Sequence, residues 1–367
     1  MSTRSGWWPL ALSRRAALGL EPFAAPVTAF ILLGVAVGPL GVGMLSPAVL
    51  TYMDVVVTLA LATLGLLIGI AAARQAPAMP RLTAASSLEA AITITMVAGA
   101  VFVLLGRWGM PFGTPALVIA LALGVSASAS SAPATAHRGD RTHDVAARVA
   151  DLDDLLPILL GAFVIGFASP ETPAGARAAM ISILAGLGSG LCGWLLFERA
   201  AGDAERGVFV LGCLGLIGGA AAYAGASPLL AGMAAGWFWV AAPGHADRLV
   251  GQDLKKIEHP LVVLLLITAG ASIRADLLGF WLFVPYVTFR LCGKLIGGWT
   301  ASRIAPHVAP SDLGTYLIPP GVMGIAFALN VAQVAPAAAV PVVGAVTLGA
   351  IMCELLSVLI MPAGRRA

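Results

Sequence analysis

The chain divides into about twelve stretches of roughly 20 mostly apolar residues, the length a helix needs to cross the hydrocarbon core of a bilayer. They run near 22–44, 47–73, 84–105, 114–136, 144–168, 177–198, 207–224, 226–242, 257–273, 278–304, 312–334 and 336–361. Hydrophobic residues make up 59% of the chain and charged residues 11%, against roughly 25% charged in a soluble domain. The 43 Gly and 24 Pro come without a long polar tract, and membrane helices tolerate both. The expected fold class is an all-α polytopic membrane protein of about 12 transmembrane helices.

The positive charges test this topology. With the N-terminus and the even-numbered loops in the cytoplasm, 16 of the 21 Lys and Arg fall inside. Arg107, Arg177 and Arg274 fall outside, and Arg290 and Lys294 lie within a span. That asymmetry is the positive-inside pattern and places both termini in the cytoplasm. Arg14 and Arg15 read as flanking charge rather than an export signal, because no small-residue cleavage site follows. The net charge of +3 is explained by these positions and is no nucleic-acid signal. The expected organisation is a cytoplasmic segment 1–21, a transmembrane body 22–361 and a cytoplasmic tail 362–367, with the longest loop around 242–257. No soluble catalytic domain fits between the spans. Cys192, Cys213, Cys292 and Cys353 are scattered through apolar stretches without metal-type spacing and read as packing residues.

Charges inside spans are expensive, about 2.5–3.5 kcal/mol each on insertion scales, and survive beside a partner or a water-filled cavity. VADLDDLLPILLGAF, residues 149–163, holds Asp151, Asp153 and Asp154 among apolar residues, with Pro157 positioned to open the backbone. Two adjacent carboxylates resist being ionised together, which suits a site exchanging a proton for a cation, and oxygen ligands suit hard cations. The alternative is a helix that starts near residue 152 and is capped by these acids. FRLCGKLIGGW, residues 289–299, places Arg290 and Lys294 four apart on one helical face, with Gly293, Gly297 and Gly298 allowing close approach of another helix. Lys294 can pair with an Asp or release a proton; the alternative is snorkelling, which suits Arg290 better than Lys294. Glu89, Glu354 and Asp54 are isolated acids, equally compatible with helix ends and with a mechanism. His137 and His143 share a basic loop and read as solvated.

Spans four and eleven are irregular. One carries SASASSAP and the other opens on Pro319-Pro320-Gly321. Paired interrupted spans in the two halves of a chain point to a transporter's binding site, so spans three to five and ten to twelve are candidate inverted repeats.

Several stretches carry a resemblance. LLGVAVGPLGVGMLSP (32–47), LALGVSASASSAPATAHRGD (121–140), ADLDDLLPILL (150–160), SPLLAGMAAGWFWV (227–240), IEHPLVVLLLITAGASIRADLL (257–278) and GKLIGGWTASRIA (293–305) follow, in order and spacing, those of the monovalent cation:proton antiporter superfamily, which contains the sodium/proton antiporters. The resemblance covers nearly the whole chain. It implies a mobile core of spans 84–168 and 278–361 with two crossed discontinuous helices, and a scaffold and dimerisation domain of spans 22–73 and 177–273. It implies that Asp154 binds cation or proton in turn, that Asp153 is its partner and Lys294 the charge partner, and that Ser128, Ser130 and Ser131 line the crossing. Asp151 and Arg290 are further candidates. Paired acids in this family imply more than one proton per cation. The implied setting is a bacterial inner membrane, with a homodimer, no cofactor and no metal beyond the transported cation. The sequence departs from the family in lacking the Arg and Glu of the eleventh helix, where PPGVMGIAF (319–327) stands, and the acid after LGLLIGIAA (64–72).

The leading expectation is exchange of Na+, K+ or Li+ for protons by alternating access. The alternatives are a sodium-coupled organic-anion symporter of similar fold and an uncoupled channel or sensor-like relative. An enzyme is not expected: the spans hold no nucleophile constellation, His cluster or metal motif.

Overall fold

The computed structural model describes residues 26–77, 79–131, 141–168, 175–197, 199, 202–243, 246–306, 309 and 312–360. The expected terminal segments 1–21 and 362–367 lie outside these residues, as do His137 and the side chains of His143 and Asp151. The described chain is helical and contains no strand. The elements are α1 (Pro26–Val37), α2 (Pro47–Gln75), α3 (Pro80–Arg107), α4 (Thr114–Ser128), α5 (Arg141–Asp153), α6 (Leu155–Ala168), α7 (Gly175–Phe197), α8 (Asp203–Tyr223), α9 (Pro228–Ala241), α10 (Ala246–Ala271), α11 (Leu277–Ile304), α12 (Leu313–Tyr316), α13 (Val322–Val334) and α14 (Pro336–Ile360).

Local signals explain the helix starts. Pro opens α2, α3 and α9, where its missing N–H costs nothing. Side chains cap the free donors: Ser46 Oγ accepts from the Val49 amide, Ser227 Oγ from Leu230 and Asp276 Oδ2 from Gly279, at 3.4, 3.3 and 2.8 Å. Among the described residues five helices are individually long and apolar enough to cross a membrane: α2, α3, α7, α14 and, from Glu205, α8. Their outer faces carry large exposed apolar side chains such as Leu184, Val208 and Leu211. Such a surface is matched by lipid and not by water; the chain is a multi-pass membrane protein.

Most expected spans appear with shifted ends, while three spans and one loop differ in kind. The first is shorter than 22–44: α1 stops at Val37, where Gly38 and Pro39 turn the chain. The expected loop at 242–257 is helical from Ala246, because Val250 and Leu254 are fully buried and, with Ile257, form one apolar stripe. The expected span 144–168 is interrupted at Asp154. Pro157 has no N–H for the Asp153 carbonyl one turn earlier, so the α-helical ladder breaks there. The expected span 312–334 divides into α12 and α13 around Pro319-Pro320.

Two short helices occupy the centre. α4 has 15 residues and α13 has 13, about 20 Å each and too short for a core of about 30 Å. Both are buried nearly all round: Ala122 to Ser128 in α4 and Gly324 to Val331 in α13. α3 and α11 pack against each other on one side, and α2 packs against α9 on another.

Candidate functional site

α4 ends at Ser128 and α13 begins at Val322, and the two irregular segments meet. Ser130 and Pro320 form an isolated antiparallel bridge. The Ser131 amide donates to the Pro319 carbonyl at 3.1 Å, the Gly321 amide to the Ala129 carbonyl at 3.2 Å, and Ser131 Oγ to the Pro320 carbonyl at 3.0 Å. Gly321 is required here, because a Cβ would sit 2.7 Å from the Ser130 carbonyl oxygen.

A helix that stops inside a protein leaves carbonyls without partners and a partial negative charge at its C-terminal end. α11 supplies two cations to answer this. Arg290 donates to the carbonyls of Ala127 and Ala129 in one segment, the latter at 3.0 Å, and to those of Ile318 and Pro319 in the other, both at 3.3 Å. Lys294, one turn on, donates to the Ser128 carbonyl. Arg290 is 1% exposed and Lys294 0%. Neither snorkels, which removes that alternative for both. Arg290 in particular, the better candidate for snorkelling on sequence alone, joins the two broken segments.

Lys294 also holds the acids. Its Nζ lies 3.2 Å from Asp153 Oδ2 and 3.1 Å from Glu89 Oε1, and all three side chains are fully buried. Asp153 Oδ2 accepts a further hydrogen bond from Ser130 Oγ at 2.9 Å, and Glu89 accepts one from Thr93 Oγ1 at 3.0 Å. Asp153 Oδ1, the oxygen that Lys294 does not hold, is buried without a hydrogen-bond partner.

Asp154 takes a different environment. It sits at the interruption between α5 and α6, 7% exposed, and lines a small cavity of about 10 Å³, room for about one water. Val125, Ala129, Pro157, Ile158, Leu229, Met323 and Phe327 complete the lining. The cavity therefore touches both breaks as well as α9.

The sequence-predicted residues are largely brought together: Asp153, Asp154, Lys294, Arg290, Ser130 and Ser131 all lie at the meeting of the segments. Ser128 contributes its carbonyl, while its hydroxyl is turned back to the Val125 carbonyl at 2.8 Å. For Asp151 only the backbone is described, in the last turn of α5. Glu89, which reads as an isolated acid in the sequence, pairs with Lys294 across 205 residues. The available signal was an acid one helical turn before Thr93 in an apolar span. Glu354 lies elsewhere, accepting from the Thr28 amide and hydroxyl at 2.8 and 2.7 Å and tying α14 to α1. Asp54 is exposed on α2 and takes no part.

No family model and no curated protein sequence matches the chain. Solved structures do. The sodium proton antiporter MjNhaP1 from Methanocaldococcus jannaschii, at pH 8, superimposes with a TM-score of 0.62 over 95% of this chain and 93% of that one, at 16% identity. The chain has the fold of that antiporter.

Proposed function

We propose that the protein is a secondary active transporter that exchanges a monovalent cation, Na+ before K+ or Li+, for protons by alternating access. The carrying observation is the setting of the acid pair: Asp154 lines the cavity between the breaks while Asp153, its neighbour, is pinned by Lys294 and Ser130. A proton and a monovalent cation carry the same charge and compete for the same carboxylate oxygens, which is the requirement for exchange. Asp154 is the group that binds either ion, and Asp153 adds the lone pairs of Oδ1. Ser128 to Ser131 offer backbone and hydroxyl oxygens beside them.

The shared fold with a sodium proton antiporter supports the same reading. In it, α4 and the α12–α13 pair are crossed discontinuous helices near mid-membrane. α3 to α6 and α11 to α14 form the moving core as inverted repeats, and α1, α2 and α7 to α10 the scaffold of a homodimer in a bacterial inner membrane. Of the Arg and Glu missing from the eleventh span at Pro319-Pro320-Gly321, the positive charge is supplied by Arg290, which reaches that span's carbonyls from α11. This is what favours coupled exchange over an uncoupled relative.

The test is proton flux in proteoliposomes with an internal pH dye, adding Na+, K+ or Li+ to wild type and to Asp154→Asn. One cation should drive alkalinisation of the proton-loaded lumen, and the Asn variant should lose it. A fully active Asp154→Asn protein would refute the assignment.

A further inference from the structure

The ammonium of Lys294 has three acceptors on three elements: Glu89 on α3, Asp153 on α5 and the Ser128 carbonyl at the end of α4. A protonated lysine has three N–H donors and a neutral amine has two. The charged form is the one that satisfies every acceptor. Glu89 is itself held in place. Thr93 donates to it at 3.0 Å, and Gly297 of α11 lies so close that an added Cβ would come within 2.9 Å of Glu89 Cγ. This second counter-ion belongs to a helix outside the break that carries Asp153 and Asp154.

We infer that Glu89 keeps Lys294 charged through the transport cycle and thereby sets the exchange at one proton per cation. The inference rests on the exchanger reading above. A cation that recruits Asp153 as a ligand takes a counter-ion from Lys294. Were Asp153 the only acid there, the lysine would be left as an uncompensated buried charge and would release its proton, so two protons would leave for each cation bound. With Glu89 still at 3.1 Å, the ion pair survives. Only the carboxylate proton is then displaced.

The charge balance agrees. Among the described buried groups at the breaks, Glu89, Asp153 and Asp154 carry three negative charges when ionised, and Arg290 and Lys294 carry two positive ones. Tyr286 and Cys353, which also interact with Arg290, are ordinarily neutral near pH 7. One proton or one monovalent cation brings the cluster to neutrality. This is the reverse of what the family resemblance implies for paired acids, which is more than one proton per cation.

The experiment reads the reversal point in proteoliposomes. A proton gradient of about tenfold is imposed at zero membrane potential, and the opposing cation gradient is raised until the pH dye shows no net flux. One-for-one exchange reverses at a cation gradient of about tenfold, and two-for-one exchange at about a hundredfold; only the second shifts when a thiocyanate gradient sets a potential. Wild type should reverse near tenfold and ignore the potential. Glu89→Gln should move toward a hundredfold and become potential-dependent, while Glu89→Asp, which keeps the charge, should reverse as wild type does. Wild-type reversal near a hundredfold overturns the inference even if Glu89→Gln does not fold, and so does a folded Glu89→Gln that reverses as wild type. Absence of any coupled flux would overturn the exchanger reading itself, and this inference with it.

Discussion

Two helix pairs in this protein use the same packing device for different ends. α2 meets α9 through Gly65 and Gly69 on one side and Gly232 and Gly236 on the other. α3 meets α11 through Gly293 and Gly297, which face Thr93 and Glu89. In both, glycines four residues apart present one face and let backbones approach closely. The α2–α9 seam is filled by Ala62, Leu66, Leu229 and Met233, and its glycines abut the neighbouring helix's carbonyls. The α3–α11 seam instead encloses Glu89 and Lys294. Close approach alone therefore makes a joint. It encloses an ion pair only where one helix brings an acid and the other a base at the depth where the backbone breaks.

The comparison is most severely tested by unbalancing the charged seam. Lys294→Met leaves Glu89 and Asp153 buried without their cation, and should lower stability by about 3–5 kcal/mol. Thermal unfolding of the detergent-purified protein measures it. Neutralising both acids in the same background, with Glu89→Gln and Asp153→Asn, should restore much of the loss. A Lys294→Met protein as stable as wild type would mean the ion pairs are not formed.

The apolar seam should respond to size and not to charge. Gly232→Ala directs a methyl at the Ala62 carbonyl and should cost about 1–3 kcal/mol through overpacking. Cation-driven flux per folded molecule should stay near wild type. Selective loss of flux at unchanged stability would show that this joint moves during transport.

The smallest effect belongs to the aqueous face. Asp253 pairs with Lys256 at 2.8 Å and Arg206 at 3.1 Å, and these partners, Lys256 foremost, hold its carboxyl below the ordinary carboxylate range. Its contribution is therefore fully present above pH of about 4 and fades as the pH falls through its lowered value. Asp253→Asn should cost only about 0.2–1 kcal/mol at neutral pH, and the difference from wild type should disappear in acid. A larger or pH-independent loss would show that the α8–α10 contact depends on something other than this ion pair.

Much of the site was legible in the sequence because charge is costly in hydrocarbon. Asp153, Asp154 and Lys294 stood out as groups that require partners, and Pro157 and Pro319-Pro320 marked backbone that cannot continue a helix. What was not legible was pairing. Glu89 reads as an isolated acid until α3 is laid on α11, and the glycines that permit this give no hint of which helix they admit. Arg290 reads as a snorkelling residue because its partners are carbonyls, which every residue has. The start of α10 was missed for a related reason. Its charged residues concealed the Val250, Leu254 and Ile257 stripe that a neighbouring helix buries.

The central claim is that proton and cation compete for one buried acid pair. Equilibrium binding of the radiolabelled cation to purified protein, repeated across pH, tests it most directly. Competition at one site predicts that apparent affinity weakens by about tenfold for each pH unit on the acid side of the site's titration, and that Asp154→Asn binds no cation. Affinity that stays constant with pH, or survives in Asp154→Asn, would contradict the account.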